Sequence, residues 1–364
     1  MKRSIHAVCL FLPLLLSFCH GPEDKAITNS GSAEKWYKGN THAHTVICGH
    51  ADTGPAEVVH WYHDRGYHFL ILSEHNHFIN PDTVTLPDNP RADFILIPGE
   101  EVTGAQDIHT TAMNIGAYVA PGPQGPDKTT VIQAHVDSTR AQAGIPILNH
   151  PNFVSGAHAT DILPVQRLHL FELYNGHPLV YNWGEHTTYH HVSTEAKWDS
   201  LLSSGMHIYG VSSDDAHIFQ VFSADQSNPG RGWVMVRSDT LTPAAITDAM
   251  ARGDFYASSG VILGEVKQSG DRYLLTIDTA ATNRELDSPF LIGRRADETK
   301  TGYFIQFFGD QGRLLHEVEG LEATYTPQAG DAYVRAKITR RRRKGSLILE
   351  HYAWTQPVFE GTDF

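Results

Sequence analysis

The chain has 364 residues, of which 41% are hydrophobic and 19% charged, a balance typical of a globular protein with one large domain and a smaller one. Its net charge of −13 argues against binding to duplex nucleic acid, although bound cations would still allow a phosphorylated small substrate. The 23 histidines nearly match the 28 lysines and arginines, and this excess of imidazole favours a metalloprotein.

The N-terminal segment has the pattern of an export signal. A positively charged tripeptide precedes an apolar run over residues 7–18, which is too short to span a bilayer. We predict an export signal at residues 1–20 and a linker at residues 21–35, and hence an exported protein that is periplasmic or membrane-anchored. The residues before Cys19 resemble a lipoprotein cleavage box, but Phe18 replaces the usual small residue. A lipid anchor at Cys19 is therefore one of two alternatives.

Cys48 is the one cysteine beyond the first 20 residues, so the folded body can form no internal disulfide. An exported protein of this kind must rely on core packing and on metals for its stability. Cys48 stands between His44 and His50 in the chain, either as a ligand or as a small packed thiol.

Residues 36–264 alternate between short apolar strands and helices, which predicts an α/β fold with parallel strands. The predicted strands lie at residues 68–72, 94–97, 145–148, 168–173 and 208–211. The predicted helices lie at residues 55–65, 129–143, 194–204 and 242–253. Polar side chains follow several of these strands, and they can converge only if the sheet closes, or nearly closes, around an axis. We therefore predict a barrel, with an open doubly wound sheet as the alternative.

Histidines and carboxylates stand at the predicted strand ends with the spacing of metal ligands. His42 and His44 are two positions apart, so on a strand both imidazoles face the same side, and Asp215 and His217 repeat this spacing. Glu101 can place two oxygens between two ions. The candidate ligands are His42, His44, His50, His75, Glu101, His109, His150, Asp215 and His217. Carboxylate bridging combined with imidazole ligation suits Zn, Mn or Fe rather than Ca or Mg.

Residues 265–364 show alternating β-rich runs separated by turn residues, with no convincing helix between them. We predict a small antiparallel β-domain that resembles a sandwich. A basic run at residues 340–344 is read either as a contact for a polyanion or as a solvated hairpin tip.

Six segments taken together resemble the successive motifs of the PHP (polymerase and histidinol phosphatase) superfamily of metal-dependent phosphoesterases. They are KGNTHAHT, SEHN, IPGEEVT, LNHPN, FELYNG and SSDDAH. The resemblance covers residues 36–264, and the closing AWTQPVF is similar to a branch that contains carbaryl-type ester hydrolases.

This resemblance implies a distorted (β/α)7 barrel with two or three metals, followed here by the β-domain. The implied ligands of the first metal are His42, His44, Glu101 and Asp215. The second metal would share Glu101 and add His109 and His150. A third would use His50, His75 and His217.

The sequence departs from the family pattern at three positions near these ligands. Asn40 stands where many members have Asp, and Glu74 replaces the Asp that usually precedes the histidine of SEHN. Other members have an aspartate near the position of His50, and this departure affects the predicted third metal site.

We expect a hydrolase that cleaves phosphoesters of small molecules with a metal-activated hydroxide, with Asp215 at the metals. The proton donor to the leaving oxygen is either His217 or a water on the third metal. Arg231 is predicted to bind the anionic group of the substrate, with a structural role as the alternative. Glu172 in FELYNG is predicted to contact a ligand. Two other functions remain open, namely a carboxylester or carbamate hydrolase on the same metals and a non-catalytic binding module.

Overall fold

A computed structural model of the chain describes Met1 and residues 35–86, 94–184, 186, 188–269 and 272–360. The predicted export signal, Cys19 and nearly all of the predicted linker lie outside these residues. The described residues from 35 to 360 belong to one compact unit. No helix in this part of the chain combines the length and the apolar character that a membrane span requires.

The fold is α/β, with many strands and few helices. The α-helices are α1 (Pro55–Asp64), α2 (Lys128–Ala141), α3 (Ala159–Ile162), α4 (Thr194–Ser203), α5 (Pro243–Arg252) and α6 (Thr279–Leu286). The strands of the N-terminal two thirds are β1 (Lys35–Asn40), β2 (Phe69–Leu70), β3 (Ile95–Leu96), β4 (Gly99–Thr103), β5 (His109–Met113), β6 (Ile145–Leu148), β7 (Leu170–Asn175), β8 (Tyr209–Ser213), β9 (Trp233–Ser238) and β10 (Phe255–Ser258). The later strands are β11 (Leu263–Ser269), β12 (Arg272–Ile277), β13 (Arg294–Arg295), β14 (Gly302–Gly309), β15 (Arg313–Glu319), β16 (Glu322–Tyr325), β17 (Tyr333–Lys344), β18 (Leu347–Thr355) and β19 (Val358–Phe359).

Local sequence signals account for the helix ends. Helix α5 begins with Pro243 after Thr242, whose side chain accepts a hydrogen bond from the Ala245 N–H at 3.2 Å. It ends at Gly253, whose φ of 86° is left-handed and favours glycine. These ends confirm the predicted helix, and the predicted helices at 55–65, 129–143 and 194–204 also match α1, α2 and α4 within two residues.

The strands form three sheets rather than one closed barrel. One sheet has the order β15-β14-β17-β18-β10-β9-β1-β2-β3, with β13 and β19 attached beside it. A second has the order β4-β5-β6-β7-β8, in which β6, β7 and β8 are parallel. Two isolated parallel bridges, Ala43–Ala216 and His75–Glu101, connect these two sheets where their strands end. The strand ends of both sheets therefore meet at one place.

The C-terminal strands continue the first sheet, because β18 pairs antiparallel with β10. The third sheet, β11-β12-β16, shares a hydrophobic cluster with strands β14, β17 and β18. The prediction of an uninterrupted β-region was wrong, because α6 lies within it; Asp278 accepts a hydrogen bond from the Ala281 N–H at 2.8 Å and caps this helix. The basic run at 340–344 ends β17 at the tip of the β17–β18 hairpin, where Lys344 pairs with Leu347 and the left-handed Gly345 lies in the turn. This position agrees with the alternative of a solvated hairpin tip, since Arg343 and Lys344 are exposed.

A buried ion pair links α4 to β17. Arg335 donates from Nε and Nη2 to the two carboxylate oxygens of Asp199, at 2.7 and 2.6 Å. The Tyr333 hydroxyl donates to the same carboxylate at 2.8 Å, and Arg335 is only 1% exposed. This network satisfies a pair of charges that would otherwise be costly to bury.

Candidate metal centre

The two His/Asp motifs lie side by side because their backbones pair. The His44 N–H donates to the Ala216 carbonyl at 2.9 Å, and the Asp215 N–H donates to the His42 carbonyl at 3.0 Å. Both segments immediately follow strands, β1 and β8, so the alternation of a strand directs the three side chains of His42, His44 and Asp215 to one side.

The ligand atoms of this first group lie at the spacing that a metal ion requires. Nε2 of His42 lies 3.1 Å from Nε2 of His44, and Oδ1 of Asp215 lies 3.2 and 3.3 Å from these two nitrogens. Glu101 approaches the same nitrogens at 3.3 and 3.4 Å. Four donors bound to a tetrahedral ion at about 2.0–2.2 Å would lie about 3.3–3.6 Å from one another. The four side chains therefore fit one divalent cation.

A second group of ligand atoms lies around Oε1 of Glu101, the oxygen that also approaches His42. Oε1 of Glu101 lies 3.2 Å from both His109 Nδ1 and His150 Nε2. His109 begins β5, which pairs with β4, and His150 directly follows Asn149 at the end of β6. Glu101 thus stands between two ligand groups, as a bridging carboxylate does.

A third group consists of His50, His75 and His217. Nε2 of His217 lies 3.1 Å from Nε2 of His50, and Nδ1 of His75 lies 2.8 Å from Oε2 of Glu101. The ring of His44 stacks on that of His217, with centroids 4.1 Å apart. Cys48 lies beside this group, since its sulfur is within 4.8 Å of ligand atoms of His50 and His217.

Backbone strain accompanies two of the candidate ligands. Asp215 has a φ of 50° and His150 a φ of 21°, both in the left-handed region that non-glycine residues seldom adopt. Strain of this kind persists where the surrounding structure enforces it, and it concentrates at functional sites. The backbone hydrogen bonds between the Asp215 segment and the His42 segment hold Asp215 in this conformation.

Glu172 holds the ligands in place from behind. Its Oε1 lies 2.8 Å from Nδ1 of His42 and accepts a hydrogen bond from the Ser213 hydroxyl at 2.5 Å. Its Oε2 accepts from the His150 N–H at 2.7 Å. Because Glu172 accepts from Nδ1, His42 presents the lone pair of Nε2 to the other ligands, an arrangement common behind metal-bound histidines.

Asp214 and Asn40 shape the loop beside the centre. The Asp214 carboxylate accepts hydrogen bonds from the backbone N–H groups of Gly230, Arg231 and Gly232 at 2.6–2.9 Å. Asn40 donates to it at 2.5 Å and accepts from the His42 N–H at 2.8 Å. Asn40 therefore supports both the loop and the candidate ligand His42.

The electrostatics of the centre follow from imidazoles and carboxylates that are buried close together. Burial would raise the pKa of Glu101, but His42 and His109 outweigh this effect and hold it well below the usual range. Burial lowers the pKa of His44 well below its ordinary value, and the nearby His217 adds to this shift. Among the described residues, the buried ring nitrogens His44 Nδ1 and His150 Nδ1 make no hydrogen bond. The set of imidazole and carboxylate donors fits bound divalent cations.

A cavity of about 520 Å³ opens onto the three groups. Its remaining lining residues are Phe153, His177, Pro178, Leu179, Ile218, Asp225, Gln226 and Ser227. No lysine or arginine belongs to the described lining of this cavity. Any positive charge that binds an anionic substrate here would therefore come from bound cations rather than from lysine or arginine side chains.

All nine ligands predicted from the sequence converge at this centre, whereas Arg231 does not reach the cavity. Arg231 is 3% exposed, and its guanidinium donates to the Gly176 and Ser223 carbonyls at 3.2 and 2.6 Å and to Asn228 Oδ1 at 2.9 Å. These contacts correspond to the structural alternative for Arg231.

The sequence reading missed two asparagines that organise the carboxylates. Asn149 donates to Oε1 of Glu101 at 2.8 Å, and Asn175 donates to Glu172 and Asp215 at 2.8 and 3.2 Å. Both residues lie inside two of the six motif segments, LNHPN and FELYNG. An amide beside a candidate ligand was the signal that could have identified them.

No protein-family model and no curated protein matches the chain. Among solved structures, the chain is similar to a two-domain protein from Bacteroides vulgatus ATCC 8482 that contains a predicted PHP-like metal-dependent phosphoesterase. The two chains are 14% identical, and the alignment covers 91% of this chain and 88% of that chain with a TM-score of 0.44. A likeness this low carries no argument, so the case for function rests on the geometry of the site.

Proposed function

We propose that this protein is a metal-dependent hydrolase of the PHP type that cleaves phosphoesters. The observation that carries the proposal is the convergence of histidine nitrogens around the Glu101 carboxylate at 2.8–3.4 Å, with no lysine or arginine in the described lining of the cavity. Two bridges, Ala43–Ala216 and His75–Glu101, support a distorted barrel whose strand ends meet at this centre.

The ligand atoms divide among two or three divalent cations, which we propose to be Zn, Mn or Fe. The first would be held by His42, His44, Glu101 and Asp215. The second would be held by Glu101, His109 and His150. The third would be held by His50, His75 and His217. Imidazole and carboxylate donors in these proportions suit such cations better than Ca or Mg.

Bound cations would supply a hydroxide nucleophile near neutral pH and would neutralise the charge that develops on the oxygens of the ester. The chain itself orients the site. Glu172 fixes the ring of His42, and Asn175 fixes the carboxylates of Glu172 and Asp215. Phe153, Leu179 and Ile218 contribute apolar surface to the lining of the cavity.

A second candidate reaction is the hydrolysis of a carboxylester or carbamate on the same metals. The observation that favours it is the described lining itself, which offers Phe153, Leu179 and Ile218 but no lysine or arginine for a phosphate dianion. Such a lining suits an uncharged ester as well as a phosphoester whose charge is carried by the metals.

One assay separates the two reactions. The purified protein is loaded with Zn or Mn and is tested on 4-nitrophenyl phosphate, bis(4-nitrophenyl) phosphate and 4-nitrophenyl acetate. Metal-dependent turnover of either phosphate that is abolished in Asp215→Ala supports the proposed function. Turnover of the acetate alone supports the second candidate, and a metal-loaded protein inert to all three contradicts both.

We also propose that the protein is exported, and that Cys19 is its lipid-anchoring residue. The support is the pattern of residues 1–20 alone. Mass spectrometry of the protein from its native cells tests this proposal. A mature N-terminus at an acylated Cys19 agrees with it, whereas an intact Met1 contradicts export by cleavage.

A further inference from the structure

His177 lines the metal cavity but is not among the candidate ligands. It lies in the loop after β7, and its ring centroid is 5.7 Å from that of His217, in an edge-on arrangement. The ring is also 6.4 Å from that of Phe153. His177 therefore stands in the wall of the cavity, close to the metal centre.

One nitrogen of His177 is already used by the loop. The backbone N–H of Leu179 donates to Nδ1 of His177 at 3.1 Å. A ring nitrogen that accepts a hydrogen bond carries no hydrogen, so the neutral ring carries its hydrogen on Nε2. Nε2 makes no hydrogen bond to any described residue. The loop thus leaves one imidazole donor available.

The loop that carries His177 is fixed to the metal centre through Asn175. The His177 N–H donates to Oδ1 of Asn175 at 2.8 Å, and Nδ2 of Asn175 donates to Glu172 at 2.8 Å and to Asp215 at 3.2 Å. A donor whose supporting contacts are themselves ordered can meet a reacting atom with little loss of entropy.

Apolar side chains stand beside His177 in the metal cavity, whereas Arg231 and Arg294 line a separate cavity that His177 also borders. Phe153, Pro178, Leu179 and Ile218 line the same cavity, and the exposed Asp225 lies at its edge. An anionic leaving group would meet no cationic side chain of the described lining here, and it would be repelled by Asp225. An uncharged aromatic or alkyl group would bury apolar surface instead.

We propose that His177 donates a hydrogen bond from Nε2 to the leaving oxygen of the ester. The organic group attached to that oxygen is uncharged and apolar, and it packs against Phe153, Leu179 and Ile218. The proposal rests on the proposed hydrolase function. In the reaction, hydroxide forms the new bond at phosphorus or the acyl carbon. The bond to the leaving oxygen breaks, its electron pair stays on that oxygen, and the oxygen finally takes a proton from water. A hydrogen bond from Nε2 stabilises the charge while it develops.

Two substitutions separate the donor from the loop contact. In His177→Asn, the side-chain oxygen can still accept from the Leu179 N–H, but the donor at the position of Nε2 is lost. In His177→Gln, an N–H group remains near that position. Each variant is assayed with phenyl phosphate, whose leaving oxygen is strongly basic, and with 4-nitrophenyl phosphate, whose leaving oxygen is weakly basic. Bound metal is measured in parallel by mass spectrometry.

We expect His177→Asn to lower kcat on the phenyl ester by about tenfold to a hundredfold, because a strongly basic oxygen depends most on a donor. The nitrophenyl ester should lose only about threefold or less, and the metal content should stay unchanged. His177→Gln should retain most of the activity on both esters. Wild-type protein should also prefer phenyl phosphate to 4-carboxyphenyl phosphate.

Equal losses on both esters, or no loss on either, would overturn the leaving-group role. A loss of bound metal in His177→Asn would instead make His177 a ligand or a structural residue, and it would overturn the role as well. Failure of the proposed function is recognised separately, because the wild type would then hydrolyse neither phosphate. If the wild type hydrolyses only acetates, the same comparison is made with phenyl and 4-nitrophenyl acetate.

Discussion

The metal centre and the link between α4 and β17 both bury charged groups, but they differ in how that charge is balanced. In the link, Arg335 meets Asp199 through two hydrogen bonds, and Tyr333 adds a third. In the metal centre, the carboxylates of Glu101 and Asp215 are surrounded by imidazoles. A buried carboxylate that meets a guanidinium is already neutralised, whereas carboxylates gathered with imidazoles, and with no lysine or arginine in the described cavity lining, indicate a site for a cation.

The largest expected effect is the loss of activity when a ligand of the first metal is removed. His42→Ala or Asp215→Ala should lower kcat/KM for the best phosphoester at least about a thousandfold, because the nucleophile and the charge neutralisation both depend on that metal. Bound metal, measured by mass spectrometry, should fall with it. A variant that keeps its activity after losing either side chain would contradict the ligand assignment. His190→Ala, at a loop histidine outside the centre, is the matched control and should leave both quantities unchanged.

The opposite pattern is expected for the α4–β17 link. Asp199→Ala leaves Arg335 buried without its partner, and it should lower the free energy of unfolding by about 3–5 kcal/mol, as measured by urea denaturation. Activity per folded molecule and metal content should remain at wild-type levels. The double variant Asp199→Leu/Arg335→Met removes both charges and should recover most of the stability. A loss of metal in Asp199→Ala would remove the distinction between the two regions.

An intermediate effect is expected for Glu172, which touches a ligand rather than the metal. Glu172→Gln should weaken metal affinity or activity by about tenfold to a hundredfold, because the ring of His42 loses its charged partner. Competition with a fluorescent chelator measures the affinity. Thermal unfolding of the metal-loaded protein serves as the control, since a large loss of stability would point to a structural carboxylate instead.

The smallest effect concerns pH and the C-terminal strands. Burial, reinforced by Arg342, lowers the pKa of His351 to about 4, compared with 6.5 for an unfolded histidine. Between these pH values the unfolded chain binds a proton that the folded chain does not, so stability falls as pH drops from 6.5 toward 4. At pH 5, the lowered pKa of His351 reduces the free energy of unfolding by about 2 kcal/mol relative to neutral pH. His351→Gln should therefore show a shallower loss of unfolding free energy between pH 7 and pH 5 than wild type, and an unchanged slope would contradict the assignment.

The convergence of the candidate ligands could be predicted from the sequence because its signals are local. The spacing of His42 and His44, and of Asp215 and His217, is a property of a strand, and it survives whatever the rest of the chain does. The residues that the sequence did not identify act over long separations. Asn149 forms a hydrogen bond with Glu101, which lies 48 positions earlier in the sequence. The Arg231 guanidinium donates hydrogen bonds to backbone carbonyls of neighbouring loops.

For the fold as well, local sequence patterns predict helix ends but not the pairing of distant strands. The ends of α5 follow from Thr242, Pro243 and Gly253 alone, and were predicted correctly. The continuation of the first sheet from β10 into β18 joins segments about a hundred residues apart, and no local pattern encodes this pairing. Helix α6 was missed because its eight residues are mostly polar and sit among strong strand patterns, although Asp278 offered a cap. The boundary between residues 264 and 265 stays a prediction.

The most direct test of the account is the number of divalent cations bound by the purified protein. After removal of metal with a chelator and reloading with Zn or Mn, mass spectrometry should find two or three ions per chain, and fewer in His42→Ala and Asp215→Ala. A folded wild-type protein that binds less than one ion per chain under these conditions would contradict the account.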